Sequence, residues 1–211
     1  MIFVDETGSH LGMTRTHSRA PRGQRAVSTV PRTRGANRTL ITALTLEGIG
    51  PGLLLDEALD RATFDGYITH LLAPTLKPGQ IVVVDNLKVH YSDRAQQVIE
   101  AAGAELWYLP PYSPDLTPIE ESFSKLKAFL RSAEARTLED HSTAIWAGLR
   151  TITPQDAAGW FAHSGYLQPE HPVARRPARR QTADIATVRV PDPPATITLQ
   201  IPSGVAFDQL W

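Results

Sequence analysis

Two carboxylic acids stand out by position. Asp5 follows the apolar run Met1 to Val4, and Asp85 follows Ile81-Val82-Val83-Val84. Each is therefore predicted where a buried strand ends. Four apolar residues in succession suit a strand covered on both faces, as in a parallel region. In open sheets of this kind, ligands gather beyond the carboxyl ends of the strands. If the two strands are parallel neighbours, the two carboxylates lie side by side. Like charges about 4 Å apart repel by roughly 4 kcal/mol at an effective dielectric of ~20. Such a pair needs a shared proton, a cationic side chain or a metal ion. The alternative is that each Asp caps the turn after it. The chain contains no cysteine, so an ion held here would have oxygen ligands, which favours Mg²⁺ or Mn²⁺.

A third carboxylate comes from the helix predicted after the rigid segment Pro110-Pro111-Tyr112-Ser113-Pro114. Thr117 fits an N-cap and Pro118 the first helical position. At 100° per residue, Ile119, Phe123, Leu126 and Leu130 form one stripe. Glu121 lies nearly opposite it, four residues before Lys125, the spacing of a solvent-facing ion pair. Glu120 stands at the margin of the stripe, on the first turn, where it can look along the sheet edge. Thr117-Pro118-Ile119-Glu120 also matches a capping box, which would use the same carboxylate oxygens, and spacing alone favours the cap. Asn86, directly after Asp85, is a candidate to orient a phosphate or a metal shell, or is a turn residue. His90 is a site-edge candidate for phosphate contact or proton relay. Glu6 should point to the other strand face from Asp5, which leaves it outside the site.

The elements that must position these groups read as strands first, then β–α–β alternation, then helices. Residues 9–38 read as a long loop or loose hairpin punctuated by Pro21, Gly23, Pro31 and Gly35. Thr39 to Leu46 and Pro51 to Leu55 are predicted strands of an antiparallel meander. Thr63 to Leu76 has helical spacing. Asp93 to Ala102 reads as a helix stopped by Gly103, and Leu106 to Leu109 as a short strand. Helices are expected from Thr117 to about Arg131, near 138–150 and over 154–163. Trp107, Trp146 and Trp160 read as core. The pattern gives a mixed α/β domain over 1–168. Residues 169–211, with seven of the seventeen prolines, read as a mostly disordered tail in which 196–201 has strand character.

The 211 residues carry a formal charge of −1, which hides an asymmetry. Residues 1–40 hold seven arginines, Arg15, Arg19, Arg22, Arg25, Arg32, Arg34 and Arg38, against two acids. Residues 41–168 hold nine basic and sixteen acidic side chains. A basic arm on an acidic body suits a polyanionic partner such as DNA, and Lys125, Lys127 and Arg131 would extend that surface. A solvated loop is the bland alternative. No apolar run approaches the ~18–20 residues of a membrane helix. No Gly-rich phosphate loop is present, which disfavours a nucleotide-dependent enzyme. The expectation is a soluble, cytoplasmic protein, nucleoid-associated when on DNA.

Three stretches together resemble the catalytic domain of DDE transposases. They are Phe3-Val4-Asp5-Glu6-Thr7, Val83-Val84-Asp85-Asn86 with His90 beyond, and Leu109 to Glu120 (LPPYSPDLTPIE). The similarity is greatest to insertion-sequence family 630, the bacterial branch of the mariner-like superfamily. The 34 residues between Asp85 and Glu120 match that superfamily's spacing, and the similarity runs to about residue 168. It implies an RNase H-like fold, a five-stranded mixed sheet flanked by helices. It makes Asp5, Asp85 and Glu120 a catalytic, metal-binding triad for two Mg²⁺ ions, with Mn²⁺ able to substitute. The implied reaction cleaves transposon-end phosphodiesters and transfers the 3′-hydroxyl strand to target DNA. The implied partners are double-stranded DNA, as terminal inverted repeats and target, and a second copy on that DNA. Family members also carry a helix-turn-helix region, expected here as a half encoded upstream. A truncated remnant that binds DNA or pairs with an intact transposase is the alternative.

Overall fold

The two most apolar runs of the chain meet at the centre of the sheet. In the computed structural model, which describes residues 1–111 and 113–166, β1 (Ile2–His10) pairs in parallel with β4 (Ile81–Val84). On its other side β1 pairs antiparallel with β2 (Asn37–Thr45), which pairs with β3 (Gly48–Leu55). β5 (Glu105–Tyr108) runs parallel to β4, so the order is β3-β2-β1-β4-β5. This is the five-stranded mixed sheet flanked by helices that the resemblance implies. The tail over 169–211 and its strand-like 196–201 lie outside the described residues.

Alternation along the strands builds two cores. Ile2, Val4, Val82 and Val84 face α1 (Arg61–Tyr67) and α2 (Asp93–Ala101), packing with Phe64, Tyr67 and Ile99. Phe3 and Val83 face α3 (Pro118–Ala133) and α5 (Pro154–His163), packing with Ile119, Phe123 and Phe161. Leu126 and Leu130 of α3 continue into a third cluster with Leu40 and with Ile145 and Leu149 of α4 (Leu138–Leu149). The predicted stripe Ile119, Phe123, Leu126, Leu130 is thus the buried face of α3. None of the helices among the described residues is long and apolar enough to cross a membrane.

Several expectations need correction. β1 does not end at Asp5. It runs on to His10 because Asp5 to His10 still pair with β2 after β4 has stopped. The loop after it spans residues 11–36, closed at its neck by backbone bonds from Leu11 to Ala36 and Gly12 to Arg34. The helix over 63–76 is composite: α1 passes into a π-helical turn (Ile68–Leu72) and a 3₁₀ turn (Ala73–Thr75). Trp107 is not core. It is 50% exposed on edge strand β5, its indole N–H donating to Glu105 at 2.8 Å. An edge strand has a neighbour on one side only, so apolar composition there does not guarantee cover.

Leu126 is buried where α3 crosses the sheet and meets α4. Leu126→Ala should cost about 2–5 kcal/mol through reduced burial and the cavity left behind. In a domain of this size that lowers the melting temperature by roughly 5–15 °C in a thermal melt. An unchanged melting temperature would contradict the packing described.

Candidate active site

The register of β1 against β4 decides what lies at the site. The last paired residues are Val4 and Val84, so the next residue on each strand is Asp5 and Asp85. Strand spacing in a sheet is about 4.8 Å, which makes these carboxylates neighbours. Asp5 is 9% exposed. Its Oδ1 accepts from the Glu6 N–H at 2.7 Å. Burial, and then the charges of Glu6 and Asp85, push its carboxyl up from 3.8 to about 7.

Asp85 is held differently. Burial opposes its charge, but hydrogen bonds from His90 and the Leu87 N–H prevail and keep its carboxyl below the ordinary value. Its Oδ1 lies 2.6 Å from His90 Nδ1 and 3.0 Å from the Leu87 nitrogen. The same imidazole reaches Glu6 through Nε2 at 3.0 Å. Burial disfavours an imidazolium here, yet the two carboxylates outweigh it and raise His90 to about 9. His90 is completely buried against the Phe64 ring, with centroids 4.8 Å apart. His90 thus stands against Asp85 at the edge of the site, with no surface open to a phosphate, and clamps Asp85 to Glu6. Glu6, set aside by strand alternation, does point away from Asp5's face. On that other face the loop after β4 delivers His90. No local pattern announces this pairing, because the partners are 84 residues apart.

Asn86 is also committed internally. Its amide donates to Leu109 O at 3.2 Å and accepts from Tyr91 Oη at 2.5 Å. It ties the loop after β4 to the exit of β5, as a turn residue would.

Glu120 enters from α3. Its carboxylate makes no hydrogen bond among the described residues. Thr117, the residue expected to cap α3, turns its hydroxyl to Ser113 O at 3.2 Å and makes no side-chain cap. The capping box is therefore not formed and the Glu120 oxygens stay available. Glu120 and Asp5 line one open cavity of about 340 Å³ together with Glu6, Thr7, Phe123, Ser124 and Lys127. Glu121 forms no pair with Lys125. It pairs with His163, while Lys125 is drawn to Asp156 at 2.6 Å and Thr151 O at 2.8 Å. The Lys125 ammonium is thus neutralised within the fold, because α5 brings a carboxylate closer than the helix spacing does. Lys127 lines the cavity instead.

Of the seven arginines in the arm, Arg15, Arg19, Arg22, Arg25, Arg32 and Arg34 are exposed. Arg38 is not part of that surface: it is buried on β2, paired with Asp56 at 2.9 Å and bonded to Ser142 at 2.8 Å. The arm is rooted by Arg136, whose guanidinium donates to Leu11 O and Met13 O, each at 3.0 Å.

The donor set fits a hard divalent cation in kind, being all oxygen and overcharged. Asp5 Oδ2, Asp85 Oδ2 and both Glu120 oxygens have no partner among the described residues. As they stand, no three acidic, imidazole or thiol side chains among the described residues are grouped closely enough to hold a metal ion.

The five-stranded mixed sheet, with Asp5 and Asp85 directly after its central β1/β4 pairing, has the RNase H-like arrangement. The family described as DDE superfamily endonuclease matches residues 1–142, and the chain belongs to that family. Among solved structures, it is similar to a Mos1 transposase paired-end complex with left transposon end, at 22% identity and TM-score 0.55. That likeness covers 78% of this chain and 55% of the other. A Mos1 strand transfer complex aligns at 22% identity and TM-score 0.52, covering 78% and 54%. A mariner Mos1 paired end complex with Mg aligns at 22% and 0.52, covering 79% and 56%. The chain thus spans little more than half the length of these proteins, and the likeness establishes the fold. No curated protein matches.

The raised Asp5 carboxyl has a stability consequence with a definite sign. Below pH 3.8 Asp5 is protonated folded or unfolded. As pH rises from 3.8 through about 7 only the unfolded chain ionises, so the fold loses stability across that window. In metal-free buffer, Asp5→Asn should therefore raise the melting temperature by several degrees at pH 8 and much less at pH 5. A gain of equal size at both pH values would refute the assignment.

Proposed function

We propose that the chain is the catalytic part of a mariner-like transposase of the insertion-sequence family 630 branch. It cleaves phosphodiesters at transposon ends and joins the 3′-hydroxyl strand to target DNA. One observation carries this reading: Asp5 and Asp85 lie side by side at the parallel strand pair, and Glu120, released from capping, shares Asp5's cavity. The structural relatives are complexes with a transposon end and with Mg or Mn, which supports the choice of substrate and cofactor.

Asp5, Asp85 and Glu120 would hold two Mg²⁺ ions, with Mn²⁺ substituting. Bound there, divalent ions supply the positive charge that polarises a phosphodiester and favours hydroxyl attack. The chain's own groups do the positioning. His90 fixes the rotamer of Asp85 and supplies an internal positive charge against Glu6. Lys127, on the cavity wall, offers a cation to the phosphate of an entering strand. The six exposed arginines of the arm follow the DNA backbone beyond the site. A homodimer on DNA, a helix-turn-helix half encoded upstream and a cytoplasmic, nucleoid-associated location complete the proposal.

Purified protein should nick supercoiled plasmid in Mg²⁺ or Mn²⁺ and not in EDTA, and Asp85→Asn should reduce that activity at least 100-fold. Equal nicking by both proteins would leave the triad without support. Absence of nicking even with the upstream half supplied would favour a non-catalytic remnant. Separately, Arg19→Ala/Arg22→Ala/Arg25→Ala should flatten the salt dependence of DNA binding. The log–log slope should fall by about 0.9 for each phosphate that the arm no longer neutralises. An unchanged slope would remove the arm from the DNA path.

A further inference from the structure

The loop that follows Asp85 carries an aromatic pair that the proposed chemistry does not use. Tyr91 lies on Tyr108 of β5 with ring centroids 4.6 Å apart and planes 5° from parallel. Both rings are locked in orientation. Tyr91 donates its hydroxyl to Asn86 Oδ1 at 2.5 Å, and Tyr108 donates to His90 O at 3.2 Å. Asn86 is in turn tied to Leu109 O at 3.2 Å. Every one of these partners belongs to the segment after Asp85 or to the exit of β5. The stack is therefore tied to the strand end that carries Asp85, on the α1/α2 side where Tyr108 packs.

A tyrosine serving the core would be covered, as Tyr67 is, with its ring buried and its hydroxyl on Pro51 O at 2.9 Å. Tyr91 is 43% exposed, and Leu87, four residues earlier on the same loop, is exposed as well. An oriented ring backed by a second ring and left open to solvent is what a nucleobase needs to stack upon. A base inside a duplex is already stacked on both faces, so only an unpaired base can use such a platform.

Resting on the DNA-processing reading above, we propose that the Tyr91–Tyr108 stack receives an unpaired nucleobase of the strand that lies at Asp5 and Asp85. A stacking partner tied to the strand end that carries Asp85 would hold the unpaired base and set the strand's register.

The test compares wild type, Tyr91→Ala and Tyr91→Phe in Ca²⁺ buffer by fluorescence anisotropy. One probe is a fully paired duplex, and the other is the same duplex with a short single-stranded flank containing 2-aminopurine. Tyr91→Ala should weaken binding of the flanked DNA by about tenfold and leave the paired duplex unchanged. Tyr91→Phe, which keeps the ring, should retain at least most of the affinity. The 2-aminopurine emission should be quenched by wild type and Tyr91→Phe but not by Tyr91→Ala. Wild-type affinity for the flanked DNA in Tyr91→Ala would overturn the proposal, as would equal loss on both DNAs with an unchanged thermal melt. Failure of wild type to bind either DNA would instead bring down the DNA-processing reading, and this inference with it.

Discussion

The parallel pairing of β1 with β4 is the constraint on which the rest depends. Only three residue pairs define it, Ile2 with Val82, Phe3 with Val83 and Val4 with Val84. All six side chains are buried, so a register slip by one residue would exchange the side chains offered to the two cores and unfit both. That cost fixes Asp5 beside Asp85 although the two acids repel. The hydrophobic register places the charges, and the charges then require the chemistry around them.

The two faces of the sheet answer that requirement differently. On the α1/α2 face, an imidazole between Asp85 and Glu6 satisfies both acids inside the protein. On the α3/α5 face, Asp5 meets an open cavity with Glu120 and no internal cation bonded to it, and burial, with the charges of Glu6 and Asp85, raises its carboxyl. Burial disfavours its charged form, a cost that an incoming cation would offset.

The helix α3 links the site to the arm. Its N-terminus carries Glu120. Just past its C-terminus, Arg136 ties down the neck of the arginine-rich loop. Leu126 and Leu130, between those ends, anchor the helix against β2 and α4. Glu120 and the basic arm are therefore referred to one rigid element.

Strand alternation and helical spacing were enough to locate β4, α2, α4, α5 and the buried stripe of α3, because each depends on the period of apolar residues along a continuous segment. The same local rules marked Asp5, Asp85 and Glu120 as candidates. They favoured a cap for Glu120, and the structure overturns that: Thr117 turns back to Ser113 O, four residues earlier, and makes no cap. Partners far apart in sequence were beyond any local rule: Glu6 with His90, Lys125 with Asp156, and Arg38 with Asp56. Trp107 shows the converse, an apolar residue exposed because its strand falls at a sheet edge. Residue order alone dictated the buried face of most elements and the types of group able to bind an ion. Which charges meet, and which are left unmatched, depended on the folded chain, since long side chains pair with whatever the packed backbone brings within about 3 Å.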